Sequence, residues 1–138
     1  MIIFTDENIP PHLAPGFQLI QEPESLKTGI PLEVIHLPDY FGYGTKDKDW
    51  IPEMEKLKAC VITRDVHLNR RKHEIVLLRE HNLGIFFLMA KTKKSGLSVW
   101  QMVEMLARSW PEITKLAVEE DRSFAYEVNI NGKLKRIF

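Results

Sequence analysis

Cysteine is almost missing from this chain of 138 residues: Cys60 stands alone, inside an apolar run. A single thiol excludes an internal disulfide, and Cys60 lacks the neighbours of a thiolate metal site. A buried core thiol that behaves as a small hydrophobe is the expectation. Long apolar runs are missing too. None approaches the ~20 residues that span a bilayer, which excludes a membrane-spanning helix. Net charge is also absent, because 19 basic residues balance 19 acidic ones. Global attraction to nucleic acid or to anionic lipid is thereby excluded, and any nucleic-acid binding must rest on local clusters. There is no internal repeat and no low-complexity tract. The first residues show no basic region followed by an apolar segment, so we expect no secretory signal and a cytoplasmic protein.

What is present describes a soluble globular chain, with 44% apolar and 28% charged residues. Its length suits one domain over residues 1–138, burying about 68% of the unfolded surface. Ile2-Ile3-Phe4 is a short apolar run without polar alternation, the pattern of a strand buried on both faces. It ends in Asp6-Glu7-Asn8, and Pro10-Pro11 then stop it. Three more strands are expected, at Leu32–Leu37, Ala59–Thr63 and Ile85–Met89, the last two as buried apolar runs. Between the first two, residues 9–20 are at best weakly helical, restricted to short turns by Pro10, Pro11 and Pro15, and 21–31 reads as a loop. Trp50, Trp100 and Trp110 read as core. Tyr40, Phe41 and Tyr43 lie in a glycine-rich loop, where they either seal the core edge or stack on unpaired bases.

The helices follow from spacing and caps. One is expected from about Asp49 to Lys58; Pro52 fits only its first turn, which puts the N-cap near Asp49 and leaves Asp47 just outside. A second runs from the basic segment Arg64–His73 to about Asn82. A third is capped by Ser98 and ends near Arg108, and a separate short helix follows Pro111 to about Val118. Asn131-Gly132 between alternating residues signals a hairpin over 122–138. The expected architecture is α/β, with three α/β/α layers. It has a mostly parallel central sheet in a core of residues 1–118, and the hairpin is an appendage.

Ligands in open parallel sheets bind beyond the carboxyl ends of the strands. Asp6 stands at such an end, and Asp65, after Cys60-Val61-Ile62-Thr63-Arg64, stands at another. With Glu7, Asp47 and Asp49 they form the candidate acids. Converging carboxylates repel unless a cation or proton joins them, and Mg²⁺ or Mn²⁺ is the natural resolution. Asp49 reads equally as an N-cap, and Glu7 and Asn8 as supports of the strand tip. Arg64, Arg70, Arg71, Lys72 and His73 form the densest basic cluster. Positive charge at a helix start opposes the dipole, so RNA phosphates are the expected partners there. Lys91, Lys93 and Lys94 form a weaker second cluster.

Phe4-Thr5-Asp6-Glu7-Asn8, Gly44-Thr45-Lys46-Asp47-Lys48-Asp49-Trp50-Ile51 and Ile62-Thr63-Arg64-Asp65 together resemble the PIN domains, and more closely the compact PIN-like group that includes VapC-type toxins. Arg70–Leu88 is also similar, and the likeness runs to about residue 115. The resemblance implies a three-layer PIN-like fold and a metal-dependent endoribonuclease, the toxin of a toxin–antitoxin pair. It implies Asp6, Asp47 and Asp65 as the acidic triad and Mg²⁺ or Mn²⁺ as cofactor. Where family members often carry a fourth acid, this chain has Val66-His67-Leu68-Asn69, which leaves His67 or Asn69 in that role. RNA and a cognate antitoxin are the implied partners. The exposed hairpin strands make an edge for pairing, with a second copy in a homodimer or with a partner. The alternative is a PIN-like module that binds RNA or protein without cutting. A receiver-type phospho-switch fits poorly, because Lys91 follows Asp65 too closely.

Overall fold

The four expected strands form and run parallel: β1 (Ile2–Thr5), β2 (Glu33–His36), β3 (Cys60–Thr63) and β4 (Gly84–Leu88). The computed structural model describes residues 1–64, 72–92 and 96–138, with only the backbone for 72–75. Two further strands, β5 (Phe124–Val128) and β6 (Leu134–Arg136), complete a sheet of order β2-β1-β3-β4-β5-β6. Among the described residues only the β5–β6 pair is antiparallel. Phe4, Val61, Ile85 and Ala125 stand in register across the sheet. Because side chains alternate along a strand, this row faces one layer, and the neighbouring row of Ile3, Cys60, Gly84 and Phe124 faces the other.

Helices cover both faces. Two of them, α1 (Leu13–Thr28) and α5 (Val99–Glu119), bury Phe17, Met105, Leu106 and Ile113 against Ile3, Cys60, Ile62 and Phe86. On the other face lie α2 (Leu37–Phe41), α3 (Asp47–Leu57) and α4 (Lys72–Glu80), with Trp50, Ile51, Met54 and Leu78 against Phe4, Val61 and Phe87. The three-layer, mostly parallel architecture expected from the sequence is the one observed. Cys60 is fully buried, as expected.

Several local expectations are corrected. The turns and loop expected over 9–31 are a 16-residue helix. Pro15 stands in its first turn, where its missing N–H has no helical partner anyway. Pro23 removes one interior bond on the exposed side, while Leu13, Ala14 and Phe17 bury on the other. Gly29, at φ 72°, ends the helix by donating to the Ser25 carbonyl. The helix expected from Asp49 starts at Asp47, so that residue lies inside the first turn and Pro52 in the second. The break expected at Pro111 does not occur. Ser98 caps α5 in a reciprocal box with Gln101, and the buried face continues from Met105 through Trp110 and Ile113 to Ala117. That apolar stripe outweighs one lost backbone bond. Trp50 and Trp110 are core, but Trp100 is 79% exposed.

The hairpin forms, yet it is not an appendage: β5 is paired parallel to β4 along its whole length, and Phe124 and Ala125 are fully buried. Its turn is longer than a two-residue Asn-Gly loop. Asn129 N–H donates to Lys133 O at 2.9 Å and Gly132 N–H to Asn129 O at 2.8 Å, with Gly132 left-handed at φ 77°. A Cβ on Gly132 would meet Arg108 Cβ at 2.6 Å, so the tip rests on α5.

Candidate active site

The strand order reverses between β1 and β3, since β2 lies on one side of β1 and β3 on the other. Crevices at such switch points, beyond the carboxyl ends, are where α/β sheets hold ligands. Asp6 follows β1 there. Its N–H donates to Ile62 O at 3.1 Å, which keeps it against β3 one residue past the strand. Its carboxylate is buried and held on both oxygens. Oδ1 accepts the Asn8 N–H at 3.0 Å, a local turn that Asp favours. Oδ2 accepts the hydroxyl of Thr63, the fully buried last residue of β3. On the other side of β1, Thr5 Oγ1 and His36 Nδ1 are 3.1 Å apart and tie the tips of β1 and β2.

Asp47 reaches the same place from the connection that crosses from β2 back to β3. Thr45 Oγ1 donates to Phe41 O at 2.8 Å and to Gly42 O at 3.0 Å, folding the chain between α2 and α3. Gly42 takes φ 90°, a conformation that side chains rarely adopt. Asp47 then opens α3, where the helix dipole favours a negative charge. Its Oδ1 accepts the Trp50 indole N–H at 3.1 Å.

Asp6, Glu7, Asn8, Thr45, Asp47 and Trp50 line one small cavity of about 30 Å³, closed by Leu37 and Gly42. Two larger grooves, of about 400 and 350 Å³, lie between α1 and α5 and share Trp110 and Pro111; neither includes Asp6 or Asp47. Size therefore does not locate the acids, and chemistry does.

Of the residues expected to form a site, Asp6, Glu7, Asn8 and Asp47 are brought together. Asp49 is exposed in the same first turn but does not line the cavity, and Arg64 is exposed just past β3. Asp65, His67, Asn69, Arg70 and Arg71 lie outside the described residues, and of Lys72 only its backbone place at the start of α4 is described. Phe41 packs on Phe4, sealing the core edge, while Tyr40 and Tyr43 are exposed. Thr63, Thr45 and the donor role of Trp50 were missed by sequence reasoning. A polar Thr closing an otherwise apolar strand next to an acid was the available signal for the first.

Among the described residues, no three His, Cys, Asp or Glu side chains gather closely enough to hold a metal ion. The cavity's lining is rich in oxygen donors, among them the acids Asp6, Glu7 and Asp47, around a space of roughly one or two water volumes. That set fits a hard divalent cation, which typically takes one or two direct carboxylates and keeps its waters.

A family model described as "PIN like domain" matches residues 1–90. The chain belongs to this family. The match takes in β1 through β4 with the cavity, and it ends before α5 and the hairpin, short of the limit near residue 115 set by the resemblance. Neither curated proteins nor solved structures give a match. The PIN-like domain has a nuclease-type fold, and PIN domains typically use divalent metals. Among the described residues no helix is long and apolar enough to cross a membrane.

Proposed function

We propose that this PIN-like domain is a Mg²⁺- or Mn²⁺-dependent endoribonuclease acting in the cytoplasm, the toxin of a toxin–antitoxin pair. The observation that carries this reading is that Asp6 and Asp47, remote in sequence, line one cavity at the carboxyl ends of parallel strands.

In this reading Asp6 and Asp47 hold the cation, with Asp65 as third ligand and His67 or Asn69 as the fourth group. When bound, the cation activates water and neutralises charge on the phosphate under attack. The chain's own residues prepare the site. Thr63 and the Asn8 N–H fix the Asp6 carboxylate, so no reorganisation of that group is needed on binding. Glu7, Asn8 and Asp49 support the rim, and Arg64, Arg70, Arg71 and Lys72 contact RNA phosphates. The test is cleavage of RNA with Mg²⁺ or Mn²⁺ by the native protein and by Asp6→Asn. Cleavage should fall by two orders of magnitude or more, roughly the cost of losing a key electrostatic group. Equal cleavage by both proteins removes the assignment.

One sequence observation favours a second reading, that of an RNA- or protein-binding module that does not cut. Val66-His67-Leu68-Asn69 carries no acid where family members often have one. A metal titration separates the two, since a pure binder needs no divalent cation at these acids. A homodimer through the hairpin edge gains little support. The edge strand β6 has only three residues, with Lys135 and Arg136 exposed, and short charged edges resist pairing.

A further inference from the structure

Trp50 joins core packing to a hydrogen bond with an acid of the candidate site. Its ring packs in the cluster of Phe4, Leu37 and Ile51, and it is 4% exposed. A buried indole N–H needs a partner, and here the partner is a cavity acid, Asp47 Oδ1 at 3.1 Å. Trp110, on the opposite face of the sheet, gives its N–H to Gln21 Oε1 at 2.8 Å, and Trp100 is exposed. Packing alone would be served by any large apolar ring at position 50. The donor adds something else. A carboxylate on the first turn of a helix has several rotamers, and an N–H fixed by a buried ring selects among them.

We propose that Trp50 is a positioning residue, its indole N–H orienting the Asp47 carboxylate toward a divalent cation held in the cavity. This rests on the metal-dependent reading given above. Donors behind a ligand typically change metal affinity by about 10–100-fold. Trp50→Phe keeps a buried ring and deletes the donor.

The experiment measures Mg²⁺ affinity of the full chain by calorimetry for the native protein, Trp50→Phe, Asp47→Asn and the double variant. It also follows the three ¹⁵N-labelled indole resonances during Mn²⁺ titration, assigned with Trp100→Phe and Trp110→Phe. Trp50→Phe should weaken Mg²⁺ by about 10-fold. The double variant should bind no more weakly than Asp47→Asn alone, because the indole acts only through that carboxylate. The Trp50 resonance should broaden at substoichiometric Mn²⁺ before those of Trp100 and Trp110. Unchanged affinity in Trp50→Phe, additive losses, or a Trp50 signal that broadens no earlier than the other two would overturn the proposal. Should Trp50→Phe not fold, the Trp50 resonance in Asp47→Asn decides: it must move when the charged acceptor is lost, and a fixed resonance refutes the contact. Absence of metal binding in the native protein sinks the metal-dependent reading as well, whereas failure of the Trp50 comparisons with native binding intact sinks the positioning role alone.

Discussion

Replacing Gly84 by alanine should destabilise the protein, and the reason lies in β5. Gly84 begins β4 between Cys60 of β3 and Phe124 of β5. A Cβ there would stand 2.4 Å from Phe124 Cζ, 2.8 Å from its Cε2 and 2.7 Å from Cys60 Sγ. Carbon atoms in contact sit about 3.5–4.0 Å apart, so about 1 Å must be found. Both neighbours are fully buried, beneath α1 and α5. Two effects oppose each other. Gly→Ala restricts the unfolded chain and stabilises by about 0.4–1 kcal/mol. Overpacking a core costs about 1–3 kcal/mol. With two immovable neighbours compressed at once, the second effect wins, and the net loss should be about 2 kcal/mol. That is roughly 6–8 °C in Tm for a domain of this size. Thermal and urea unfolding followed by circular dichroism measure it. Phe124→Leu removes the ring atoms that clash, so Gly84→Ala should cost about 1 kcal/mol less in that background. A Gly84→Ala protein more stable than the native one, or a cost indifferent to Phe124, would mean that β5 does not pack on β4.

Two further outcomes follow from titrating groups. His81 Nδ1, 2.6 Å from Glu55 and assisted by Asn82, holds the Glu55 carboxyl below its ordinary 4.5. A carboxyl depressed on folding adds stability that is present above its unfolded value and lost as pH falls through the folded one. The native protein should therefore exceed Glu55→Gln in urea midpoint at about pH 6, and the gap should close below pH 4.5; a gap that stays constant with pH contradicts the pairing. Burial pushes the Cys60 thiol up to about 11. A disulfide reagent at about pH 8 should leave the folded protein unlabelled and titrate one thiol on unfolding; rapid labelling of the native state would refute its burial.

β1, β3 and β4 were legible because each is an apolar run with no alternation, a pattern that burial on both faces imposes whatever the neighbours. α1 was not, because prolines speak locally whereas the burial of Leu13, Ala14 and Phe17 is decided by the sheet beneath them. The same cause hid β5. With α5 broken at Pro111, no single helix remained to connect β4 to a parallel neighbour, and the Asn-Gly signal made the last strands look self-contained. In the intact fold, β4, α5 and β5 form one crossover unit. At the site, Asp6 was legible as an acid ending a buried strand. Thr63 and Trp50 were not, because each acts through a donor whose target is fixed only by strand register or by the helical turn.

Topology explains why the two acids meet. β2 lies on the outer side of β1, and β3 on its inner side, so the chain leaving β2 must cross the carboxyl end of β1 before it can descend to β3. That crossing carries α2 and the start of α3 over the residue that follows β1. The first turn of α3 is therefore brought to Asp6 by strand order, before any attraction between side chains is considered. Electrostatics then works against the arrangement, since carboxylates gathered at one cavity repel. The structure offsets this with fixed donors: the Thr63 hydroxyl and Asn8 N–H on Asp6, and the Trp50 indole with the helix dipole on Asp47. Donors of this kind lower the cost of holding the charges apart from bulk water, and they leave the pair already oriented when a cation arrives.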